Sequence, residues 1–307
     1  MANELITIVI PVYNRAGIVG RTLKSIETQS VRPLRVILVD NASTDGTMQV
    51  LTRWAEAVKD DGITATVSSE PKRGATAARN RGLAEVETPW VMFFDSDDEM
   101  LPDHVSGYVE AINANPGTDI FMRGVKIVNL DGSQSVKKAR GGDPFFNHLF
   151  HSTLATQRGI VRTDIVRNAG GWYESIARWN DLEWGLRMML HSRKTVNIKG
   201  KPSVNIHAQA ESITGTDFST CADALERSLD RCEKDVIVAG RLDLVRWIDA
   251  RRAILAATYA REGATAESQR LLNTIAENNR APRRLKLLYN QNRIMGRGTA
   301  ILARLLL

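Results

Sequence analysis

Cysteine is almost absent from this chain, with only Cys221 and Cys232 in 307 residues. They lie eleven residues apart in a helically patterned stretch. On one helix they stand about 16 Å apart at ~1.5 Å per residue, well beyond the ~7 Å between Cα atoms that a disulfide tolerates. A disulfide framework is excluded, nothing suggests a cysteine metal site, and both thiols are expected to be buried. Long apolar runs are also missing, since none approaches the ~18 residues that cross a bilayer. Met1 to Glu4 lacks a basic leader region, and the run Leu5 to Val12 is too short for a signal peptide, so a cytoplasmic location is expected. No Gly-x-Gly-x-x-Gly follows the first apolar run, which disfavours a nicotinamide-dinucleotide fold, and no Walker A lysine loop occurs. Acids are missing from 278–307, which holds seven Lys or Arg. The formal charge of +6 therefore belongs to that tail, and the body is near neutral at about −1. This argues against a general nucleic-acid surface, and no aromatic–basic interleaving or helix-turn-helix pattern adds to it.

What is present is ordinary for a soluble globular protein, with 43% apolar and 25% charged residues. The length suits one large α/β domain and an accessory segment. Over the first hundred residues strand and helix patterns alternate. Leu5 to Val12, Leu34 to Val39, Ile63 to Ser68 and Trp90 to Phe94 read as strands, with helices over 18–28, 43–59 and 74–84 between them. This order predicts a parallel sheet with right-handed crossovers. Beyond Asp103, Ile120 to Leu130 and Ser133 to Lys137 read as a hairpin joined by a primed turn at Asp131-Gly132. A helix is expected from Asp181 to His191, with short strands at 196–198 and 203–208. From about Asp217 onward the pattern is helical, with breaks near Gly240, Gly263 and Pro282. The expected division is 1–215 for the α/β domain and 216–307 for a helical region.

The fourth apolar run ends in Asp95-Ser96-Asp97-Asp98-Glu99. Carboxylates gathered at the carboxyl end of a buried strand repel one another unless a cation lies among them. Hard oxygen donors favour Mg²⁺ or Mn²⁺, ions that commonly accompany phosphate-bearing substrates. The plainer reading is a turn whose acids cap the next helix. Three other strand ends also carry polar groups: Tyr13-Asn14-Arg15, Asp40-Asn41, and the segment Arg73 to Gly82. In an open α/β sheet all four project to one edge.

Taken in order, these pieces resemble a family 2 glycosyltransferase of the GT-A fold. The matching elements are Pro11-Val12-Tyr13-Asn14, Asp40, Arg79-Asn80-x-Gly82, Asp95-Ser96-Asp97-Asp98, Gly170-Gly171-Trp172, and Asn180-Asp181-Leu182-Glu183-Trp184. They span roughly residues 5 to 212. The resemblance implies a Rossmann-like sandwich with a mainly parallel sheet, followed here by the helical segment. It implies a nucleotide-sugar donor, by default in that family a UDP-sugar, a glycan or lipid-linked acceptor, and Mn²⁺ or Mg²⁺. By the same resemblance Pro11, Tyr13, Asp40, Arg79, Asn80, Asp95 and Ser96 bind the donor. Asp40 accepts from the nucleobase, Tyr13 packs beside it, Asp95 faces the ribose and Arg79 lies by the diphosphate or base. Asp97 and the late His207 are implied as metal ligands, and Asp181 as general base. The family usually has Glu-Asp where this chain has Asn180-Asp181.

Sugar transfer needs neutralisation of the leaving diphosphate and a base for the acceptor hydroxyl. One base and no enzymic nucleophile imply single displacement with inversion. Two other readings are a sugar-nucleotidyltransferase and a non-catalytic nucleotide-sugar-binding relative. The former usually has a basic Gly-rich loop after its first strand, which is lacking here. Retained Asp97 and Asp181 oppose the latter. Trp172, Trp179 and Trp184 read either as a sugar-stacking wall or as core. The tail over 278–307 reads as a basic amphipathic helix, suited to peripheral contact with anionic lipid on the cytoplasmic face. The alternative is packing on the domain or on a second subunit of a homo-oligomer.

Overall fold

A computed structural model describes residues 5–209, 217–277, 282–296 and 299–307. The apolar runs become strands β1 (Ile6–Val12), β2 (Leu34–Asp40), β3 (Ile63–Ser69) and β4 (Trp90–Phe93), separated by α1 (Val19–Glu27), α2 (Thr47–Ala57) and α3 (Ala75–Ala84). β1, β2 and β4 read as unbroken apolar runs because helices or further strands cover both of their faces. Then follow β5 (Glu99–Met100), α4 (His104–Ala114), β6 (Ile120–Met122), β7 (Val125–Val128), β8 (Gln134–Lys137), α5 (Pro144–His151), β9 (Gly159–Arg162), α6 (Thr163–Asn168), α7 (Asn180–His191), β10 (Thr195–Asn197) and β11 (Val204–His207).

Seven strands form one sheet in the order β10-β6-β9-β4-β1-β2-β3. Its pairings are parallel except where β9 runs antiparallel to β4 and β6. β1 sits between β2 and β4, with Val12 opposite Asp40 and Val9 opposite Phe93. The carboxyl ends of these three strands therefore emerge side by side. Ile8, Ile10, Val36, Leu38, Met92 and Phe94 pack with Leu23 and Ile26 of α1 and with Val105 and Tyr108 of α4. On α3, Gly82 lets the helix approach the sheet, since a Cβ there would collide with Val9 and lie 3.2 Å from Val39 Cγ2.

The reading of Ile120 to Leu130 as one strand is corrected. The segment breaks at Arg123-Gly124, so that β6 joins the large sheet and β7 joins a second sheet of order β5-β11-β7-β8. Arg123 is buried and donates to the carbonyls of Asp103 (3.1 Å) and His104 (3.2 Å). A Cβ at Gly124 would lie 3.0 Å from the Lys137 carbonyl. The hairpin turn is also different. Asn129 N donates to Ser133 O and Gly132 N to Asn129 O, enclosing three residues rather than two. Of the expected turn residues Asp131-Gly132, a type I′ turn needs left-handed φ at both and a type II′ turn at the first, but only Gly132 has it, at +80°. α5, β9 and α6 occupy a region to which periodicity assigns no element.

The chain divides into two compact units. The first comprises Met1–Pro144, Thr153–Ser175 and His191–Ala210, and holds both sheets. The second comprises Phe145–Ser152, Ile176–Leu190 and Glu211–Leu307. The division differs from a single cut near 215, because 145–152 and 176–190 group with the later helices. These are α8 (Ala222–Val238), α9 (Val245–Arg261), α10 (Thr265–Glu277), α11 (Pro282–Met295) and α12 (Thr299–Leu306). Left-handed Gly240 and Gly263 follow α8 and α9 and end them. Leu186, Leu225, Leu229, Cys232, Trp247, Tyr259 and Leu271 share one core. Cys232 is buried and Cys221 half-buried, both as free thiols. Among the described residues no helix is long and apolar enough to cross a membrane.

Candidate active site

The exits of β1 and β2 are stitched together by short polar contacts. Asn14 takes φ of +48°. Its N–H donates to Ser43 Oγ (2.9 Å) and its Oδ1 accepts from Thr44 N (2.8 Å). Arg15 N donates to Thr47 Oγ1 and Ala16 N to Asp45 Oδ2. Pro11 lies inside β1 opposite Val39 and is half-buried. Tyr13 is exposed, and the Arg73 guanidinium lies 5.2 Å from its ring centre. At the end of β2, Asp40 is buried. Its Oδ2 accepts from Ser43 N at 3.2 Å, while its Oδ1 is buried with no hydrogen-bond partner. A buried acceptor without a donor is costly, which makes this atom a candidate for a ligand N–H. Next to it, Asn41 Nδ2 donates to the carbonyls of Glu70 and Lys72, and its Oδ1 accepts from Gly74 N, pinning the start of α3.

At the end of β4 the acids take different partners. Asp95 accepts from Arg79 Nη2 (2.9 Å), Thr156 Oγ1 (3.1 Å) and Gln157 Nε2 (2.5 Å). Ser96 is buried. Asp98 is buried and accepts from Gln157 Nε2 (2.7 Å) and His207 N (2.9 Å). Burial, then the charge of Asp95, pushes the Asp98 carboxyl up to about 8. Asp97 is raised by the same two causes in the same order. Its carboxylate makes one long ion pair, 3.9 Å to Arg15. Glu99 accepts from Asn205 Nδ2 at 2.7 Å and faces His207 Nε2 at 3.4 Å.

Asn80 binds the backbone of Trp172 reciprocally, its Oδ1 accepting from Trp172 N and its Nδ2 donating to Trp172 O, both at 2.8 Å. Gly171 makes this approach feasible. It has φ of +68°, and a Cβ there would lie only 2.7 Å from Asn80 Oδ1. Trp172 is buried, 4.5 Å beneath the Arg79 guanidinium and edge-on to Phe93. It belongs to the core, as does buried Trp184.

The fold thus brings Pro11, Tyr13, Asp40, Arg79, Asn80, Asp95, Ser96 and Asp97 to one edge of the large sheet, with His207 of β11 against Asp98. Asp181 stands in the second unit, in the first turn of α7. Beside it Trp179 adopts φ of +48° and stacks with the guanidinium of Arg251 at 4.6 Å. Burial lowers Arg251 to about 10, a fall opposed by Cys232 and Asp181. Glu183, the neighbouring acid, is buried and taken up by Arg187, whose Nε lies 2.5 Å from Oε1. Sequence reasoning missed Gln157 and Thr156, which lie on a 3₁₀ turn that periodicity does not mark. It also gave Arg73 no role.

The donor set can be tested against a divalent ion. Among the described residues no group of three or more His, Cys, Asp or Glu could hold a metal. Mg²⁺-type sites often take one or two carboxylates and complete their shell from water and substrate phosphate. Asp97 fits such a site, being a desolvated carboxylate beside another acid, with Arg15 at 3.9 Å as its ion-pair partner. Asp98 fits it poorly, because Gln157 and the His207 amide already engage its oxygens.

The family model for glycosyl transferase family 2 matches residues 7–171. The chain belongs to that family. A teichoic acid poly(glycerol phosphate) polymerase of Staphylococcus epidermidis is 30% identical over 204 residues, 64% of this chain and 28% of that protein. The chain spans about a quarter to a third of the length of the first curated relatives it matches. Among solved structures, S. aureus TarS 1–349 in complex with UDP-GlcNAc superposes with a TM-score of 0.61 at 15% identity, covering 95% of this chain and 93% of that one. The mannosyltransferase PcManGT of Pyrobaculum calidifontis, in complex with GDP-Man and Mn²⁺, gives 0.56 at 20% identity, covering 99% and 87%. At these identities the likeness establishes the fold, which is the expected GT-A type with a mostly parallel seven-stranded sheet.

Proposed function

We propose that this family member transfers a sugar, with inversion, from a nucleotide-diphosphate donor of the UDP-sugar class to a hydroxyl of a glycan or lipid-linked acceptor. The observation that carries the reading is the juxtaposition of the β1, β2 and β4 exits, which sets Tyr13, Asp40 and Asp97 along one sheet edge. The unpartnered Asp40 Oδ1 is suited to a nucleobase N–H, with Tyr13 and Arg73 offering a ring and a guanidinium for the base to pack against. Asp97 is the residue to hold Mn²⁺ or Mg²⁺, with His207 as the other ligand implied by the resemblance. When bound, such an ion neutralises charge on the leaving diphosphate.

Arg79 acts by holding Asp95, and Asn80 by holding the 171–174 loop. Asp181 is the proposed general base. The acceptor oxygen forms its bond to the anomeric carbon as that carbon's bond to the diphosphate oxygen breaks. The acceptor proton passes to the Asp181 carboxylate, and the nucleoside diphosphate departs with the bonding electrons. No covalent sugar–enzyme species is required, so the anomeric configuration inverts.

Turnover of a panel of UDP- and GDP-sugars with excess Mn²⁺ or Mg²⁺, and again with chelator, tests this reading. Release of nucleoside diphosphate with transfer to an acceptor is expected, collapsing for Asp97→Asn, which keeps the shape but removes the carboxylate charge offered to a cation. Exchange of pyrophosphate into the nucleotide sugar would point instead to a nucleotidyltransferase. Tight donor binding without turnover would point to a non-catalytic relative. Full activity of Asp97→Asn in chelator would exclude the metal assignment.

A further inference from the structure

Helices α11 and α12 bury one face and leave a second apolar face outside. Leu285, Leu288 and Ala303 are buried against Ala250, Ala253 and Ile275 of the second unit. That face therefore packs on α9 and α10 of the same helical region. Opposite it, Leu287 is 57% exposed and Ile294 80%, while on α12 Ile301 is 71% exposed and Leu305 78%. At ~100° per residue, Leu287 and Ile294 lie about 20° apart around α11, and Ile301 and Leu305 about 40° apart around α12. Exposed cations flank the pair on α11, namely Arg283, Lys286 and Arg293, while Arg304 of α12 holds its guanidinium 5.4 Å from the Phe146 ring centre. Arg284 ties the two helices together by donating to the Leu306 carbonyl at 2.9 Å.

Single exposed apolar residues are common on protein surfaces. Four large aliphatic side chains on the outer faces of two linked helices, bordered by cations, are a different arrangement. No Asp or Glu occurs anywhere in 278–307 to offset its seven Lys and Arg. An aliphatic surface bordered by cations, with no acid in its own segment, calls for a partner that is apolar within and anionic at its border. An anionic bilayer matches both halves of this surface, accepting aliphatic side chains below the headgroups and cations among the phosphates. Neither helix is long and apolar enough to cross, so the geometry is one of lying on the membrane.

We infer that the outer faces of α11 and α12 dock the chain onto an anionic phospholipid surface. Leu287, Ile294, Ile301 and Leu305 enter the acyl boundary, and Arg283, Lys286 and Arg293 meet the headgroups. This goes beyond the proposed transfer reaction and stands without it, because no residue of the sheet edge takes part.

The test is co-sedimentation of the full chain with vesicles of phosphatidylcholine alone and of phosphatidylcholine mixed equally with phosphatidylglycerol. Binding is expected for the anionic vesicles and should weaken as salt rises, with each cation contributing about fivefold. A Leu287→Ser/Ile294→Ser/Ile301→Ser/Leu305→Ser variant changes only exposed side chains and is expected to melt like the parent. It should lose at least about tenfold in partitioning, the loss expected from even one large aliphatic side chain kept in water. Lys286→Glu/Arg293→Glu is a second variant that leaves the apolar face intact and should lose the anionic preference. Pelleting no greater than in vesicle-free controls overturns the inference. So does equal binding of parent and serine variant. A concentration-dependent dimer that the serine variant abolishes, with no vesicle binding, would assign the face to a second copy instead.

Discussion

Arg79 and Asp95 form the ion pair at the centre of the sheet edge, Nη2 to Oδ1 at 2.9 Å, with the guanidinium stacked at 4.5 Å over Trp172. The Arg79 side chain is 7% exposed and that of Asp95 31%. Removing the guanidinium takes the counter-charge from Asp95 and leaves it Thr156, Gln157 and partial access to water. Arg79→Met is expected to cost about 1–3 kcal/mol. Arg79→Lys should lose most of the same amount, since an ammonium lacks the planar stack and the fork. Urea unfolding midpoints at unchanged slope measure this. Parent-like stability of both variants would show the pair to be a spectator.

Gly82 is needed for space rather than for an unusual backbone angle. A methyl group there meets Val9 and Val39, both in the sheet beneath α3. Gly82→Ala should destabilise by about 1–3 kcal/mol through overpacking, although alanine is the better helix former. If the helix-propensity gain dominated, the variant would be more stable than the parent, and thermal melts would separate the two outcomes.

His104 gives the fold a pH dependence away from the acid cluster. It is buried between Phe94 and Tyr108, with Nδ1 2.8 Å from Ser203 Oγ. Burial, and then the charge of Arg123, lowers its pKa from 6.5 to about 3. The unfolded chain takes up a proton below about 6.5 while the folded chain does not. Stability linked to His104 is thus present above pH 6.5 and lost as pH falls toward 3, by at most ~1.4 kcal/mol per pH unit. His104→Gln removes this titration. The stability gap between parent and His104→Gln should narrow or reverse between pH 7.5 and pH 5, and a gap independent of pH would refute the mechanism.

Asp181 and Glu183 should respond oppositely to loss of charge. General-base assistance is worth ~10²–10⁴ in rate, so Asp181→Asn should lose about that much in kcat while donor affinity and melting stay close to the parent. Glu183→Gln leaves Arg187 buried with Asp235 at 3.9 Å. Its main effect should be on stability, about 3–5 kcal/mol. Calorimetry of donor binding beside a turnover assay decides this. Normal turnover by Asp181→Asn with loss in folded Glu183→Gln would move the base to Glu183.

The succession of the first four strands, the edge at which Tyr13, Asp40 and Asp97 gather, and the helical region after 217 were all legible in the sequence. Strands buried on both faces are legible as apolar runs, and their polar exits mark the carboxyl edge, because both signals are local. What Asp95 and Asp98 touch was decided only by tertiary structure. Gln157 reaches both carboxylates from a turn about sixty residues away, brought there by β9 pairing antiparallel between β4 and β6. The break within Ile120 to Leu130 was hidden for a related reason. Apolar residues resume at Val125 directly after Arg123-Gly124, and only the competition between two sheets for the same chain divides the segment. In α11 and α12 the amphipathic pattern was visible in the residues, but the choice of buried face depends on Ala250, Ala253 and Ile275. Periodicity tells a helix that it has an apolar side; the partner surfaces available after folding settle which part of that side leaves water.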